Sequence, residues 1–163
     1  MNREISPAPV RKTITVKATP ARAFDVFTSR MIRWWRTDHH IGKSPMADVV
    51  LEPKLGGRWY EVGTDGAVCE WGKVLAWDPP RRIVLAWQLN ADWAYDRDFV
   101  TELEVRFVPD GDRTRVELEH RNLERFGANA ERVRASLDAE GGWTAALADF
   151  ATMVNAGVDS PRR

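Results

Sequence analysis

The stretch GAVCEWGKVLAWDPPRRIVLAW, residues 66–87, decides how the fold is interpreted. It reads as two strands joined by a Pro-Pro turn, and it carries three tryptophans. Indole is bulky and amphipathic, so a tryptophan-rich sheet fills a core, lines a pocket or forms a contact surface. If DPPR forms a four-residue loop, Trp87 lies opposite Gly72, where the missing side chain leaves room for the ring.

The flanking segments extend this hairpin into a larger sheet. A first strand is predicted over 10–18, Thr19-Pro20 begins a short helix, and a second short helix or turn follows over 29–40. Further strands are predicted over 48–52, 58–62, 67–77, 82–89, 99–107 and 114–121. From Trp143 onwards apolar residues recur at helical spacing, which indicates a long amphipathic helix. The order of elements predicts an α+β fold, an antiparallel sheet wrapped around the C-terminal helix.

Alternation along the strands predicts which side chains face the concave side of the sheet, towards the last helix. Together with residues of that helix they form a predicted pocket, whose members are Trp59, Glu61, Glu70, Trp87, Phe99, Thr101, His120, Trp143, Leu147 and Phe150. The same count places Trp71, Leu75 and Trp77 on the convex side, as an apolar patch. A β-bulge would exchange these assignments over part of a strand.

The polar members of the predicted pocket each allow two interpretations. If the PDGD loop closes symmetrically, Thr101 lies opposite His120, and His120 either positions a polar group of a ligand or is satisfied by Thr101. Glu61 and Glu70 are either a carboxylate pair suited to acid-base chemistry or members of ion pairs with cations such as Arg58.

Asp38, His39 and His40 suggest a metal site only superficially. Adjacent side chains point apart on a helix or a strand, and no second His or Cys pair completes a ligand set. We therefore expect exposed loop residues here and no metal. The sequence also lacks a Gly-rich phosphate loop, a GxSxG elbow and a Cys-His pairing, so no cofactor is expected and binding is favoured over catalysis.

Composition narrows the classes of partner and compartment. Lys plus Arg and Asp plus Glu number 24 each among 163 residues, so no basic footprint for nucleic acid is present. The single cysteine, Cys69, is typical of a reducing compartment, and no apolar run is long enough to cross a bilayer. We expect a cytoplasmic protein with a flexible leader at 1–9, one domain at 10–158 and a tail at 159–163.

Several motifs together resemble a known family. They are TITVKATPARAFDVFT near the start, WW at 34–35, GGRW at 56–59, GKVLAWDPPRRIVLAW at 72–87, TELEVRFVPDGDRTRVELEH at 101–120 and GW at 142–143. In this order they resemble the START-like, SRPBCC helix-grip superfamily, and within it the branch of the activator of heat-shock-protein-90 ATPase homologue family. The resemblance implies a curved antiparallel sheet that grips a long C-terminal helix around an apolar cavity, with two short helices after the first strand. It implies no universal catalytic residues.

Three functional hypotheses follow. The first is a binding domain for an apolar or aromatic small molecule in the cavity between sheet and helix. The second is a protein-interaction module, co-chaperone-like or homodimeric, that uses the convex patch. The eukaryotic co-chaperones carry a further N-terminal domain for which this sequence has no room, so a chaperone partner is not expected. The third is a cyclase-like or hydrolytic enzyme that uses Glu61 and Glu70.

Overall fold

The computed structural model describes residues 8–156. Most of the predicted leader and the predicted tail lie outside the described residues, so the domain boundaries stay predictions. The strands are β1 (Val10–Val16), β2 (Met46–Leu51), β3 (Arg58–Gly63), β4 (Val68–Asp78), β5 (Arg82–Trp87), β6 (Thr101–Asp110) and β7 (Arg113–Arg121). They form one antiparallel sheet of order β1-β7-β6-β5-β4-β3-β2.

Helices cover the concave side of this sheet. They are α1 (Pro20–Ser29), a 3-10 turn (Met31–Arg33), a 3-10 segment (Leu123–Asn129), α2 (Ala130–Asp138), a π-helical turn (Glu140–Thr144) and α3 (Ala145–Asn155). The predicted start of the first helix is confirmed, because the Thr19 hydroxyl accepts a hydrogen bond from the Arg22 amide with Pro20 at the first helical position. The α+β helix-grip architecture is confirmed.

The helix predicted from Trp143 onwards is present as the end of the π-helical turn and α3, and it is preceded by α2, which the sequence analysis did not predict. Gly142 has φ −91° and ψ −129°, so the chain leaves helical geometry between α2 and α3. A Cβ atom at Gly142 would lie 2.4 Å from the Leu137 carbonyl oxygen, which explains why glycine stands at this contact. The two helices are therefore separate elements, joined by the π-helical turn.

The β6–β7 hairpin closes more tightly than the symmetric PDGD loop implied. Asp110 pairs with Arg113, with Gly111 at φ +63° in the turn. The register therefore shifts by two residues and preserves the predicted faces, because side chains alternate with period two. His120 pairs with Leu103, not with Thr101. In the observed register Arg106 lies opposite Glu117, whereas Glu104 lies opposite Glu119.

Two β-bulges in β4 make the predicted convex patch wrong. The register shifts at Trp71 against β3 and at Leu75 against β5, so each bulge reverses the alternation of the residues beyond it. Trp71 turns inwards and is only 2% exposed. Trp77 pairs with Ile83 and packs edge-on against Phe24 at 5.1 Å. Leu75, at the second bulge, is half-buried.

Between the bulges the predicted register is confirmed, with Gly72 paired to Trp87. Gly72 also pairs with Trp59 on the other side, so the backbone passes between two indoles. A Cβ atom there would lie 1.7 Å from the Ala86 carbonyl oxygen. The close approach of β4 to β5 at Gly72 therefore requires glycine.

We expect Gly72→Ala to lower the free energy of unfolding by about 3 kcal/mol or more, because the clash is with backbone and cannot be relieved by a rotamer change. Gly141→Ala is the matched control, since no atom lies within 4 Å of the added methyl group. Urea denaturation of both variants measures the difference. Equal stabilities would contradict the backbone clash.

Candidate functional site

A cavity of about 580 Å³ lies between the β4–β5 part of the sheet and the C-terminal helices. Residues 35–41, which follow the first 3-10 turn, form the third wall of the cavity. The turn after β5, which carries Trp93, lies at the mouth of the cavity. Its lining residues are Trp35, Arg36, Asp38, His39, His40, Ile41, Trp71, Trp87, Leu89, Trp93, Ser136, Leu137, Ala139, Gly141, Gly142, Trp143 and Ala146.

Four buried indoles form the walls of this cavity. Trp35 lies 5.0 Å from Trp71 and 5.9 Å from Trp143 between ring centroids, and Trp143 lies 5.6 Å from Trp87. The interplanar angles range from 42° to 77°, as expected for rings that present edges to faces. We call these four residues the indole walls.

A fifth indole, that of Trp93, stands at the mouth. It is 40% exposed and lies 6.4 Å from Trp87. Its φ of +59° is unusual for a bulky residue, and the turn is fixed by Asn90, whose side-chain oxygen accepts from the amides of Asp92 and Ala94. These hydrogen bonds fix the backbone that places the Trp93 ring at the entrance.

Only part of the predicted pocket borders the cavity. Trp87 and Trp143 line it, whereas Trp59 is fully buried behind them and donates to the Met31 sulfur at 3.2 Å. Phe150 packs against Phe27 and Trp34 in the closed part of the core.

Leu147 is likewise buried in the core and does not line the cavity. Phe99 precedes β6, contrary to the predicted strand, and contacts Phe126 at 4.8 Å. Sequence reasoning missed Trp35, Trp71 and Trp93 as cavity residues. The WW pair at 34–35 was a usable signal for Trp35, but the bulge that turns Trp71 inwards has no clear signature in the sequence.

His120 connects two of the indole walls. Its Nδ1 accepts from Trp143 Nε1 at 3.2 Å, so the proton lies on Nε2, which donates to the Thr101 hydroxyl at 2.8 Å. Thr101 in turn lies 3.4 Å from the Trp87 carbonyl oxygen. Burial lowers the pKa of His120 to about 3, so the ring is neutral and structural.

Glu61 is fully buried beside the cavity and accepts three hydrogen bonds. They come from the Ile41 amide at 2.6 Å, the Gly42 amide at 3.1 Å and Trp71 Nε1 at 2.9 Å. This carboxylate therefore ties the segment around Ile41 to an indole wall. Burial and the Glu61 charge together raise the pKa of the nearby Cys69 thiol.

Glu70 does not join Glu61, so of the two alternatives the carboxylate pair is wrong. The bulge at Trp71 directs Glu70 to the outer face of β4, opposite Tyr60. There its carboxylate accepts from Arg58 Nε at 2.8 Å. The alternative that assigned it to an ion pair with Arg58 is confirmed.

Asp38 and His39 are exposed loop residues, as predicted, and His40 is half-buried; all three also line the cavity near its mouth. His40 Nδ1 lies 2.9 Å from the Gly42 carbonyl oxygen and 4.0 Å from Glu61 Oε2. Within residues 8–156, no group of three or more His, Cys, Asp or Glu residues is arranged to hold a metal ion. In the same part of the chain, no helix is long and apolar enough to cross a membrane.

His120 should make stability depend on pH. A histidine in the unfolded chain binds a proton near pH 6.5, whereas folded His120 does so only near pH 3, so acid favours the unfolded state. We expect acidification from about pH 7 to about pH 5 to lower the free energy of unfolding by about 2 kcal/mol through this residue. Urea denaturation at both pH values, compared with His120→Gln, isolates this contribution. An equal loss in both proteins would contradict it.

Glu61→Gln should destabilise the fold, because the glutamine side chain has an N–H group in place of one carboxylate oxygen. This N–H group would face a backbone N–H group that donates to the carboxylate in the wild type, and two donors cannot form a hydrogen bond. We expect a loss of about 2 kcal/mol in the free energy of unfolding, measured by urea denaturation. Glu70→Gln is the matched control on the same strand pair, and its partly exposed ion pair predicts a much smaller loss. Equal losses would show that burial of Glu61 is not what matters.

The chain is similar to known proteins over nearly its whole length. The sequence model of the "Activator of Hsp90 ATPase homolog 1-like protein" family matches residues 17–155. An anthrahydroquino-γ-pyrone synthase, Txn09, is 40% identical, with 91% of this chain and 97% of that chain covered and a TM-score of 0.65. CalC of Micromonospora echinospora, a self-sacrificing resistance protein, is 30% identical, with 94% and 98% covered and a TM-score of 0.71.

A third structure shows the fold alone. The Aha1 dimer of Colwellia psychrerythraea is 15% identical, with 93% of this chain and 98% of that chain covered and a TM-score of 0.62. No curated protein matches the sequence.

Proposed function

The chain belongs to the activator of Hsp90 ATPase homologue 1-like family, and we propose that it binds a planar aromatic small molecule in the cavity between sheet and C-terminal helices. The observation that carries this proposal is the set of indole walls, Trp35, Trp71, Trp87 and Trp143, around a space that side chains leave unfilled. Indole faces and edges attract aromatic rings beyond the gain from burial alone. A merely structural cluster would close on itself, because protein interiors pack to crystal-like density.

The size of the cavity supports a ligand of two to four fused rings. Its volume of about 580 Å³ lies within the range of about 300–1,000 Å³ that is typical of small-molecule sites. The charges at the mouth lie away from the walls, since Arg36 pairs with Asp149 at 3.0 Å and the side chain of Asp38 is 81% exposed. The interior is therefore suited to an uncharged ring system.

The comparisons support the same class of ligand. The relative with 40% identity is named as an anthrahydroquino-γ-pyrone synthase, and a synthase must hold its substrate before any chemistry occurs. For this protein we propose the binding step alone. The carboxylate pair first considered for catalysis is absent, because Glu61 and Glu70 lie on opposite faces of the sheet.

The single cysteine, Cys69, supports a cytoplasmic location, because proteins of reducing compartments rarely depend on disulfide bonds.

Trp93 offers a direct test, because it is exposed and its removal should leave the core intact. We expect the purified protein to bind 2-methoxynaphthalene with a Kd of about 100 μM, consistent with its small size. Its saturated analogue 2-methoxydecalin should bind at least about five-fold more weakly, because it lacks the aromatic faces. Trp93→Ala should weaken binding of 2-methoxynaphthalene by about five-fold. Equilibrium dialysis measures all three values.

Leu55→Ala is the control variant, since Leu55 is 70% exposed and lies outside the cavity. It should bind both compounds as the wild type does. Equal affinity for the aromatic and the saturated compound would contradict an aromatic site, and failure of both to bind would contradict the proposal as a whole.

A further inference from the structure

We infer that His40 recognises a phenolic or enolic hydroxyl group of the bound aromatic molecule, by accepting its hydrogen bond at Nε2. The inference rests on the proposed function and adds a chemical class of ligand to it. It follows from three features of the structure: the tautomer of His40, the buried carboxylate that holds its surroundings, and its place in the cavity wall.

The tautomer of His40 is set by a backbone carbonyl. Nδ1 lies 2.9 Å from the Gly42 carbonyl oxygen, and a carbonyl can only accept, so Nδ1 carries the proton and donates it. In the neutral ring the lone pair is then on Nε2. Nε2 has no hydrogen-bond partner within residues 8–156, so it is available as an acceptor.

Glu61 holds this arrangement in place from behind. It accepts from the amides of Ile41 and Gly42, the peptide units that lead to the carbonyl bonded by His40. Its Oε2 also lies 4.0 Å from His40 Nδ1, where negative charge favours a proton on that nitrogen. A Cβ atom at Gly42 would lie 3.0 Å from Glu61 Oε2, so glycine permits this close approach.

The position of His40 in the cavity wall allows its unpaired Nε2 to contact a bound ligand. The residue lines the cavity, and its side chain is 25% exposed, between the buried indole walls and the open mouth. A hydroxyl group that enters such an apolar space loses its hydrogen bonds to water and needs an acceptor in return. An imidazole nitrogen that is fixed by its other nitrogen supplies one without further ordering of the side chain.

Neither of the other histidines meets these conditions. His120 uses both ring nitrogens, one with Trp143 and one with Thr101, and it is fully buried. His39 is 43% exposed at the mouth, and its Nε2 lies 3.9 Å from the carboxylate of Asp38. His39 therefore makes a suitable control, since it lines the same cavity next to His40 without the carbonyl contact that fixes the tautomer.

The test compares 2-naphthol with 2-methoxynaphthalene, which differ by one methyl group and by the ability to donate a hydrogen bond. Equilibrium dialysis at about pH 8 gives the ratio of the two Kd values for the wild type, His40→Phe and His39→Phe. The wild type should prefer 2-naphthol by about five-fold, as expected for one hydrogen bond to an otherwise unpaired acceptor. His40→Phe should abolish this preference and still bind 2-methoxynaphthalene, whereas His39→Phe should retain the preference.

The outcomes separate the two proposals. If 2-methoxynaphthalene fails to bind the wild type, the proposed function itself is wrong. If it binds but His40→Phe prefers 2-naphthol as strongly as the wild type does, only the assignment of His40 is wrong. Loss of the preference in His39→Phe alone would overturn the assignment in favour of His39.

A measurement on the wild type tests the inference without any variant. Nitrogen NMR of the ¹⁵N-labelled imidazoles should show His40 with its proton on Nδ1, and 2-naphthol should shift the Nε2 resonance in the direction of hydrogen bonding. 2-Methoxynaphthalene should leave that resonance largely unchanged. A proton on Nε2 in the free protein, or equal shifts with both compounds, would overturn the inference.

Discussion

The close approach of β4 to β5 at Gly72 is the constraint on which the rest of the cavity depends. A side chain at this position would meet the Ala86 carbonyl oxygen, so only glycine fits where β4 runs this close to β5, next to the bulge that β4 forms against β3. The bulge adds one residue to β4, and the added residue, Trp71, turns to the concave side. One backbone irregularity thus supplies an indole to the cavity and sends Glu70 to the opposite face.

The inward turn of Trp71 also creates the polar junction behind the cavity. Its indole nitrogen donates to Glu61, and the same carboxylate receives the amides of Ile41 and Gly42. A buried charge is tolerated only when donors surround it, so the loop that carries His40 is held by the hydrogen bonds to Glu61 as well as by the packing of Ile41 against the core. The wall made of loop residues is therefore anchored to the sheet through Glu61.

The fold was largely predictable from the sequence, because its signals are local and repeated. Strand alternation, the Thr19-Pro20 helix start and the apolar spacing after Trp143 each specify an element without knowledge of the others. Even a register error of two residues in the β6–β7 hairpin left every side chain on its predicted face, because the error was a multiple of the strand period. Thr101 and His120 consequently meet, although they are not paired.

The site was only partly predictable, because single-residue irregularities reverse a face and leave little trace in composition. The bulges at Trp71 and Leu75 inverted the assignments of Glu70, Trp71 and Trp77. His40 was missed for a different reason, since its role depends on a carbonyl two residues ahead and a carboxylate from a distant strand. Contacts of that kind follow from tertiary packing and not from spacing along the chain.

The indole walls have an optical consequence. Trp35, Trp59, Trp71, Trp87 and Trp143 form a continuous network of neighbouring rings whose centroids lie 5.0 to 6.3 Å apart. Transition dipoles at such separations couple strongly, so excitation energy absorbed by any one ring is shared across the network. A bound ligand that absorbs at the emission wavelengths of tryptophan would therefore quench the fluorescence of the whole network by energy transfer.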